Sequence, residues 1–184
     1  MGVRLRCWFH GSQLRSRAVI IATGVSYRRL NIPGLEPLIG AGTYHGAATV
    51  QAHAVSGRYA CVIGGGNSVG QAALHLAKYA KQVSILVRST SLAASRSDYM
   101  IRDIDNAPNL DVRYGVDVVG CTGNGRLQQL QLRRRATGAT EWVPAAGLFI
   151  LIGAEPLTNW LPEPVRRDPW GYVLTAPISL STGR

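Results

Sequence analysis

The stretch from Cys61 to Arg88, CVIGGGNSVGQAALHLAKYAKQVSILVR, constrains this chain more than any other. The short apolar run Tyr59–Ile63 ends at Gly64-Gly65-Gly66, and Asn67 and Ser68 follow as residues able to cap a helix. Within Gln71–Lys81, Ala72, Ala73, Leu76 and Ala80 recur at helical spacing. Gln82–Val87 then alternates, with Val83, Ile85 and Val87 on one face. Strand, glycine turn, helix and strand in this order predict a dinucleotide-binding βαβ unit. Glycines let the backbone turn sharply and approach a pyrophosphate, and the helix N-terminus offers free N–H groups and a positive dipole. Gly64, Gly65, Gly66, Asn67 and Ser68 are the candidate phosphate-binding residues. Counted from Gly64, the third glycine of a plain GxGxxG falls on Val69, and the glycine stands one residue later at Gly70. The competing reading is a turn that uses glycines for steric reasons and binds nothing. The strand before it and the helix after it favour a nucleotide.

The end of the second strand selects which nucleotide. An NAD site usually carries Asp or Glu about twenty residues past the glycines, to hold the ribose 2′-OH. Here the position is Arg88, followed by Ser89 and Thr90, with Arg96 further on. A guanidinium suits a 2′-phosphate, so NADPH is expected over NADH. Arg96 is a candidate on the same ground, and a solvated arginine explains it equally well.

The formal net charge is +10, carried almost wholly by arginine, and 46% of residues are hydrophobic. Such a balance is that of a globular chain, and a basic excess raises the question of nucleic acid. The arginines are dispersed, however, with short runs only at Arg28-Arg29, Arg133–Arg135 and Arg166-Arg167, and no nucleic-acid motif accompanies them. Solvated faces plus a phosphate site account for them, and no nucleic-acid partner is expected. Cys7, Cys61 and Cys121 lie far apart, with neither a disulfide framework nor zinc spacing. Cys61, inside the apolar strand, reads as a small buried hydrophobe. No stretch has signal-peptide or membrane-spanning character, so a cytoplasmic protein without membrane contact is expected.

Elsewhere, Ala18–Ala22 (AVIIA, closed by Thr23-Gly24) and Ala146–Ile152 (AGLFILI, closed by Gly153) read as buried parallel strands. An irregular strand is expected around Arg4–Phe9, with a turn at His10-Gly11-Ser12. Tyr27–Gly46 is rich in glycine and proline and reads as loop. A helix is expected from about Ser97 to Asn106, and short strands on either side of Gly115. Leu127–Arg134 and Thr140–Val143 read as a hairpin across Gly138. Beyond Leu157 the chain loses periodicity, and the tail from Thr175 has no globular signature.

Five blocks, RAVIIATG (Arg17–Gly24), IPG (Ile32–Gly34), VIGGGNSVGQAA (Val62–Ala73), LVRSTSLAAS (Leu86–Ser95) and LFILIGAEP (Leu148–Pro156), occur in an order and spacing that resemble a known family. It is the thioredoxin reductase branch of the FAD-dependent pyridine-nucleotide oxidoreductases. The resemblance covers roughly Ser12 to Thr175. It implies that Thr23 and Gly24 pass close to a flavin nucleotide, that Gly64–Ser68 form the NADPH pyrophosphate turn, and that Arg88 meets the 2′-phosphate. Gly153–Pro156 would mark the return from the NADPH domain to the FAD domain. This sequence also departs from the family: nothing before Arg17 supplies the glycine motif for FAD, and the tail carries no glycine–aspartate motif. The redox CATC tetrad falls on Ala47-Ala48-Thr49-Val50, without either cysteine. Exchange with a disulfide needs an attacking thiolate and a resolving thiol, so that route to thioredoxin is closed here. His45 and His53 flank the position and read as structural rather than catalytic.

The expected fold is α/β: a Rossmann-like three-layer FAD/NAD(P)-binding fold, its parallel sheet interrupted by a small antiparallel hairpin crossover. Residues 1–45 would be an edge of the FAD domain and a linker, 46–152 the NADPH-binding domain, and 153–184 a partial return with an irregular tail. The expected function is hydride transfer from NADPH to FAD without an active-site disulfide, to an unknown electron acceptor. Two alternatives stand beside it. A flavin-free short-chain dehydrogenase would need Tyr-x-x-x-Lys, which does not occur. A catalytically silent module or truncated product binding NADP(H) alone is the stronger rival. Strands Ala18–Ala22 and Leu148–Ile152 are expected to lose FAD-domain neighbours, so poor solubility or homodimerisation is expected.

Overall fold

A computed structural model describes residues 5–9, 11–16, 18–47, 49–91 and 98–175. The chain divides into two compact units, Met1–Ser26 with Ala154–Arg184, and Tyr27–Gly153.

In the first unit, β1 (Leu5–Phe9) and β2 (Ser12–Ser16) form an antiparallel hairpin about Gly11. Residues 18–24 run without regular structure into β3 (Val25–Tyr27), which lies beside a short strand of Ala154–Pro156. The expected buried strand Ala18–Ala22 is therefore not formed, and Ile20 is 91% exposed. A continuous apolar run becomes a buried strand only with partners on both sides, and no described strand runs beside this one. Further along, side chains tie down the aperiodic segment. The Thr158 hydroxyl donates to the Gly171 carbonyl at 2.6 Å, Arg167 Nη1 donates to the Thr158 carbonyl at 2.6 Å, and Asp168 accepts from the Trp170 and Tyr172 N–H groups. Bonds of this kind leave no periodicity to read.

The second unit begins in the segment expected to be loop. It holds a 3₁₀ turn (Glu36–Leu38), β4 (Thr43–His45) and the short helix α1 (Thr49–His53). There follow β5 (Tyr59–Ile63), α2 (Asn67–Ala77), β6 (Gln82–Val87), α3 (Asp98–Asp105) and β7 (Leu110–Tyr114). Next come β8 (Val116–Gly123), β9 (Leu127–Arg134) and β10 (Thr140–Pro144), then β11 (Gly147–Ile150), after which the chain leaves for β12 (Ala154–Pro156). The parallel sheet has the order β4-β11-β5-β6-β7, and β8, β9 and β10 make a separate antiparallel sheet. The expected hairpin is thus two strands of three.

Strand alternation assigns the layers. Ala60 and Val62 of β5, Val83, Ile85 and Val87 of β6, and Phe149 of β11 share a core with Val69, Ala73 and Leu76 of α2 and with Met100 and Ile104 of α3. Cys61, Ile63, Leu86, Leu148 and Ile150 point the other way and pack with Val116 and Val118 of β8 and Leu130 and Leu132 of β9. The result is helices, parallel sheet and antiparallel sheet, the three-layer arrangement expected. β11 keeps neighbours on both sides, β4 and β5, and is buried throughout. The expectation that this strand would lose its partners is corrected, because Thr43–His45 supplies the second edge.

Candidate functional site

The glycine turn sits at the C-terminal end of β5, beside the end of β6, where open α/β sheets bind ligands. Each glycine is there for a different reason. Gly64 has φ +142°, and a Cβ on it would lie 2.4 Å from the Leu151 carbonyl oxygen and 2.7 Å from Val69 Cγ2. Its N–H donates to the Leu86 carbonyl at 3.3 Å, which ties the turn to β6. Gly66 is the helix N-cap, with extended backbone, and a Cβ there would meet nothing within 4 Å. Asn67 and Ser68, expected as capping residues, lie inside α2, and no side chain caps it. The start of α2 is exposed at Gly66, Asn67 and Ser68, and the positive end of the helix dipole there favours an anion. Gly70 is buried, and its Cβ would lie 2.6 Å from Met100 Cγ. The displaced third glycine thus allows α2 and α3 to approach, while Val69 packs back against Gly64. Gly65 is half-buried in the turn, and Ser68 is exposed at the first turn of α2.

Arg88 follows β6 directly, with its side chain 70% exposed. Its Nε lies 3.2 Å from Asp117 Oδ1 on β8. The same carboxylate takes Arg133 Nη2 at 3.4 Å and Arg135 Nε at 3.9 Å. Arg88 lines two clefts. One, of about 340 Å³, is shared with Asn31, Ile63, Asp117 and Arg133. The other, of about 640 Å³, is shared with Thr90, Tyr114, Arg134, Arg135 and Thr137. Sequence reasoning missed this second group. Arg133–Arg135 showed only as a charge run, and nothing local to Asp117 indicates that the ends of β6 and β9 bring arginines to it.

The remaining candidates lie elsewhere. Thr23 is half-buried and Gly24 exposed at φ +71°, both in the first unit. Gly153, φ +102°, ends the second unit, and its carbonyl accepts the Arg28 N–H at 3.1 Å. Arg96 lies outside the described residues. Of the tetrad positions, Thr49 and Val50 open α1, Ala47 precedes it and Ala48 lies outside the described residues. His45 stacks on Tyr27 at 5.5 Å, and His53 meets Tyr79 edge-on at 4.8 Å, so both make packing contacts. Burial pushes the Cys61 thiol up to about 12 and raises that of Cys121 as well. Neither is an activated thiolate at neutral pH. Among the described residues no group of His, Cys, Asp and Glu could hold a metal ion, and no helix is long and apolar enough to cross a membrane.

A parallel sheet with a glycine turn at one strand end, a helix after it and an arginine at the next strand end defines an α/β protein of the Rossmann type. Its family follows from similarity to known proteins. The profile of the pyridine nucleotide-disulphide oxidoreductases matches residues 7–177, and the chain belongs to that family. It is 34% identical over 172 residues to the bifunctional thioredoxin reductase/thioredoxin of Mycobacterium leprae, covering 94% of this chain and 37% of that protein. It is 35% identical over 165 residues to NADPH-dependent thioredoxin reductase 3 of Arabidopsis thaliana, covering 88% of this chain and 31% of that one. The crystal structure of T. acidophilum thioredoxin reductase superposes with a TM-score of 0.75 at 26% identity, over 89% of this chain and 53% of that chain. The chain spans about a third of the length of these two curated relatives. The thioredoxin reductase resemblance and the α/β fold expected from the sequence are both found, and members of this family use FAD and NADPH.

Proposed function

We propose that this chain is the NADPH-binding part of a thioredoxin reductase-like flavoprotein oxidoreductase that moves hydride from NADPH to FAD without an active-site disulfide. The observation that carries the reading is the pairing, at adjacent ends of β5 and β6, of the open Gly66 backbone with Arg88. Gly64–Ser68 and the start of α2 would hold the diphosphate, and Arg88 the 2′-phosphate. That a Cβ at Gly66 meets nothing, while one at Gly64 collides with Leu151, fits a turn shaped for approach from outside. FAD supplies the hydride acceptor; the protein's share is to bind and orient. The substitution of both tetrad cysteines and the raised Cys61 and Cys121 thiols favour an acceptor other than a disulfide of this chain. The acceptor's identity, a cytoplasmic location and a homodimer stay within this proposal.

One observation favours a second reading. Thr23 and Gly24 would lie beside a flavin, yet the described residues of their unit include no helix, and so no helix N-terminus for a flavin diphosphate. The chain by itself would then be an NADP(H)-binding module. The visible spectrum of the purified protein, before and after anaerobic NADPH, separates the two. A flavin spectrum bleached by NADPH is expected from the first. A colourless protein that binds NADPH and takes up no flavin would sink it in favour of the second.

A further inference from the structure

The four arginines that line the two clefts come from two different sheets. Arg88 ends β6 of the parallel sheet, whereas Arg133, Arg134 and Arg135 close β9 of the antiparallel one. Backbone bonds hold the two ends together: the Gly115 N–H donates to the Ser89 carbonyl at 3.1 Å, and the Arg135 N–H to the Gly115 carbonyl at 2.8 Å. Between them opens the cleft of about 640 Å³, with Arg88, Arg134 and Arg135 as its cations, the Thr90 and Thr137 hydroxyls, and the exposed Tyr114 ring. No carboxylate lines it. Asp117, in the neighbouring cleft, is the one acidic side chain among the residues lining either. One carboxylate against four guanidiniums leaves the region short of negative charge by three. A phosphate monoester brings about −1.5 to −2 at neutral pH.

We propose that Arg134 and Arg135, which lie outside the βαβ unit, complete with Arg88 a site for the 2′-phosphate, and that this cleft takes the 2′-phosphorylated adenosine. The proposal rests on the reading of Arg88 given above and adds to it the crossover sheet as a determinant of nucleotide choice. Planar guanidiniums converging from two strand ends can each present paired N–H donors to one phosphate. Asp117 gathers Arg88, Arg133 and Arg135 near one point, while Arg134 forms no ion pair or hydrogen bond with another described side chain. Tyr114, 44% exposed at the end of β7, offers a ring face to the base.

The test is calorimetric titration of the full chain with 2′,5′-ADP and with 5′-AMP. It compares wild type, R134Q/R135Q, and R58Q/R126Q as a control that removes two charges at the opposite end of the parallel strands. Wild type is expected to prefer 2′,5′-ADP by about tenfold or more, and R134Q/R135Q to lose about tenfold of that preference with 5′-AMP affinity held within about threefold. The control should keep the preference. Unchanged 5′-AMP binding also shows that the glycine turn is intact. Should the double variant fold poorly, R134Q alone must lower the preference by about threefold. A preference that survives in R134Q/R135Q overturns this assignment and leaves Arg88 standing. An equal loss in the control overturns it as a general charge effect. A wild-type protein that shows no preference removes the NADPH reading of Arg88, and this site with it.

Discussion

In the proposed function, Arg88 helps to choose between two cofactors. On the proposed reading, replacing it with Glu removes a charge-assisted contact to the 2′-phosphate, of about 1.5–3 kcal/mol, and it puts a second carboxylate beside Asp117. NADPH affinity should fall by one to two orders of magnitude, with NADH affected far less; equal losses would show that Arg88 does not read the phosphate. Cys61 tests a different property of the same strand pair. Its thiol is held near 12 against an ordinary 9.0, first by burial and then by the opposing effects of Arg113, which lowers it, and Asp111, which raises it. The folded state therefore keeps a proton that the unfolded chain gives up, so this contribution to stability is whole below about pH 9 and is lost as pH rises toward about 12. In urea titrations the stability advantage of wild type over C61A should shrink from pH 8 to pH 10.5, and an advantage constant across that range would refute the linkage. Both residues were legible in the sequence, Arg88 by its place at a strand end and Cys61 by its apolar neighbours. Asp117 was not. Its role depends on β8, β9 and β6 arriving at one place, which no local pattern encodes.

Among the elements, two apolar runs of similar composition met different fates. AVIIA and AGLFILI both read as buried strands, yet only the second found flanking strands, β4 and β5, to pair with. Hydropathy reports that a segment can be buried; register partners decide whether it is. The βαβ unit was legible because strand, turn and helix each carry their own local signal there. The glycine turn can be dissected on the same grounds. Gly64→Ala must carry a Cβ into the Leu151 carbonyl in a left-handed backbone conformation, and should destabilise the fold by about 1–3 kcal/mol. Gly66→Ala has an ordinary φ of −83° and open space, so its folding stability should stay within about 0.5 kcal/mol of wild type. If the proposed site is correct, NADPH binding should nevertheless fall by at least about tenfold, because the new methyl would stand where the pyrophosphate approaches. Thermal melts and titrations on the two variants give the pattern. A Gly66→Ala protein that binds NADPH normally would mean that the phosphates do not pass over this turn.

The whole chain poses the question of which part carries its own stability. Both hydrophobic cores are built from residues between Leu30 and Ile152, and all fall within the unit Tyr27–Gly153. One packs α2 and α3 on the parallel sheet, and the other packs the antiparallel sheet on its opposite face. The first unit, in contrast, exposes Ile20, Trp160 and Trp170 at 91%, 69% and 73%, and its described segment after β12 is held by side-chain to backbone hydrogen bonds. Burial of apolar surface is the dominant favourable term in folding, and a unit with two complete cores and a length ordinary for one domain has what it needs. The fragment 27–153 should therefore unfold cooperatively and bind 2′,5′-ADP within about threefold of the full chain, since the glycine turn, Arg88 and Arg133–Arg135 all belong to it. The full chain, with its large exposed apolar side chains, should be the one that self-associates as concentration rises. Light scattering, calorimetry and titration on the two proteins side by side decide this. A fragment that melts without cooperativity would show that residues 1–26 and 154–184 supply stability that the two cores do not, and the nucleotide unit could not then be treated as a domain.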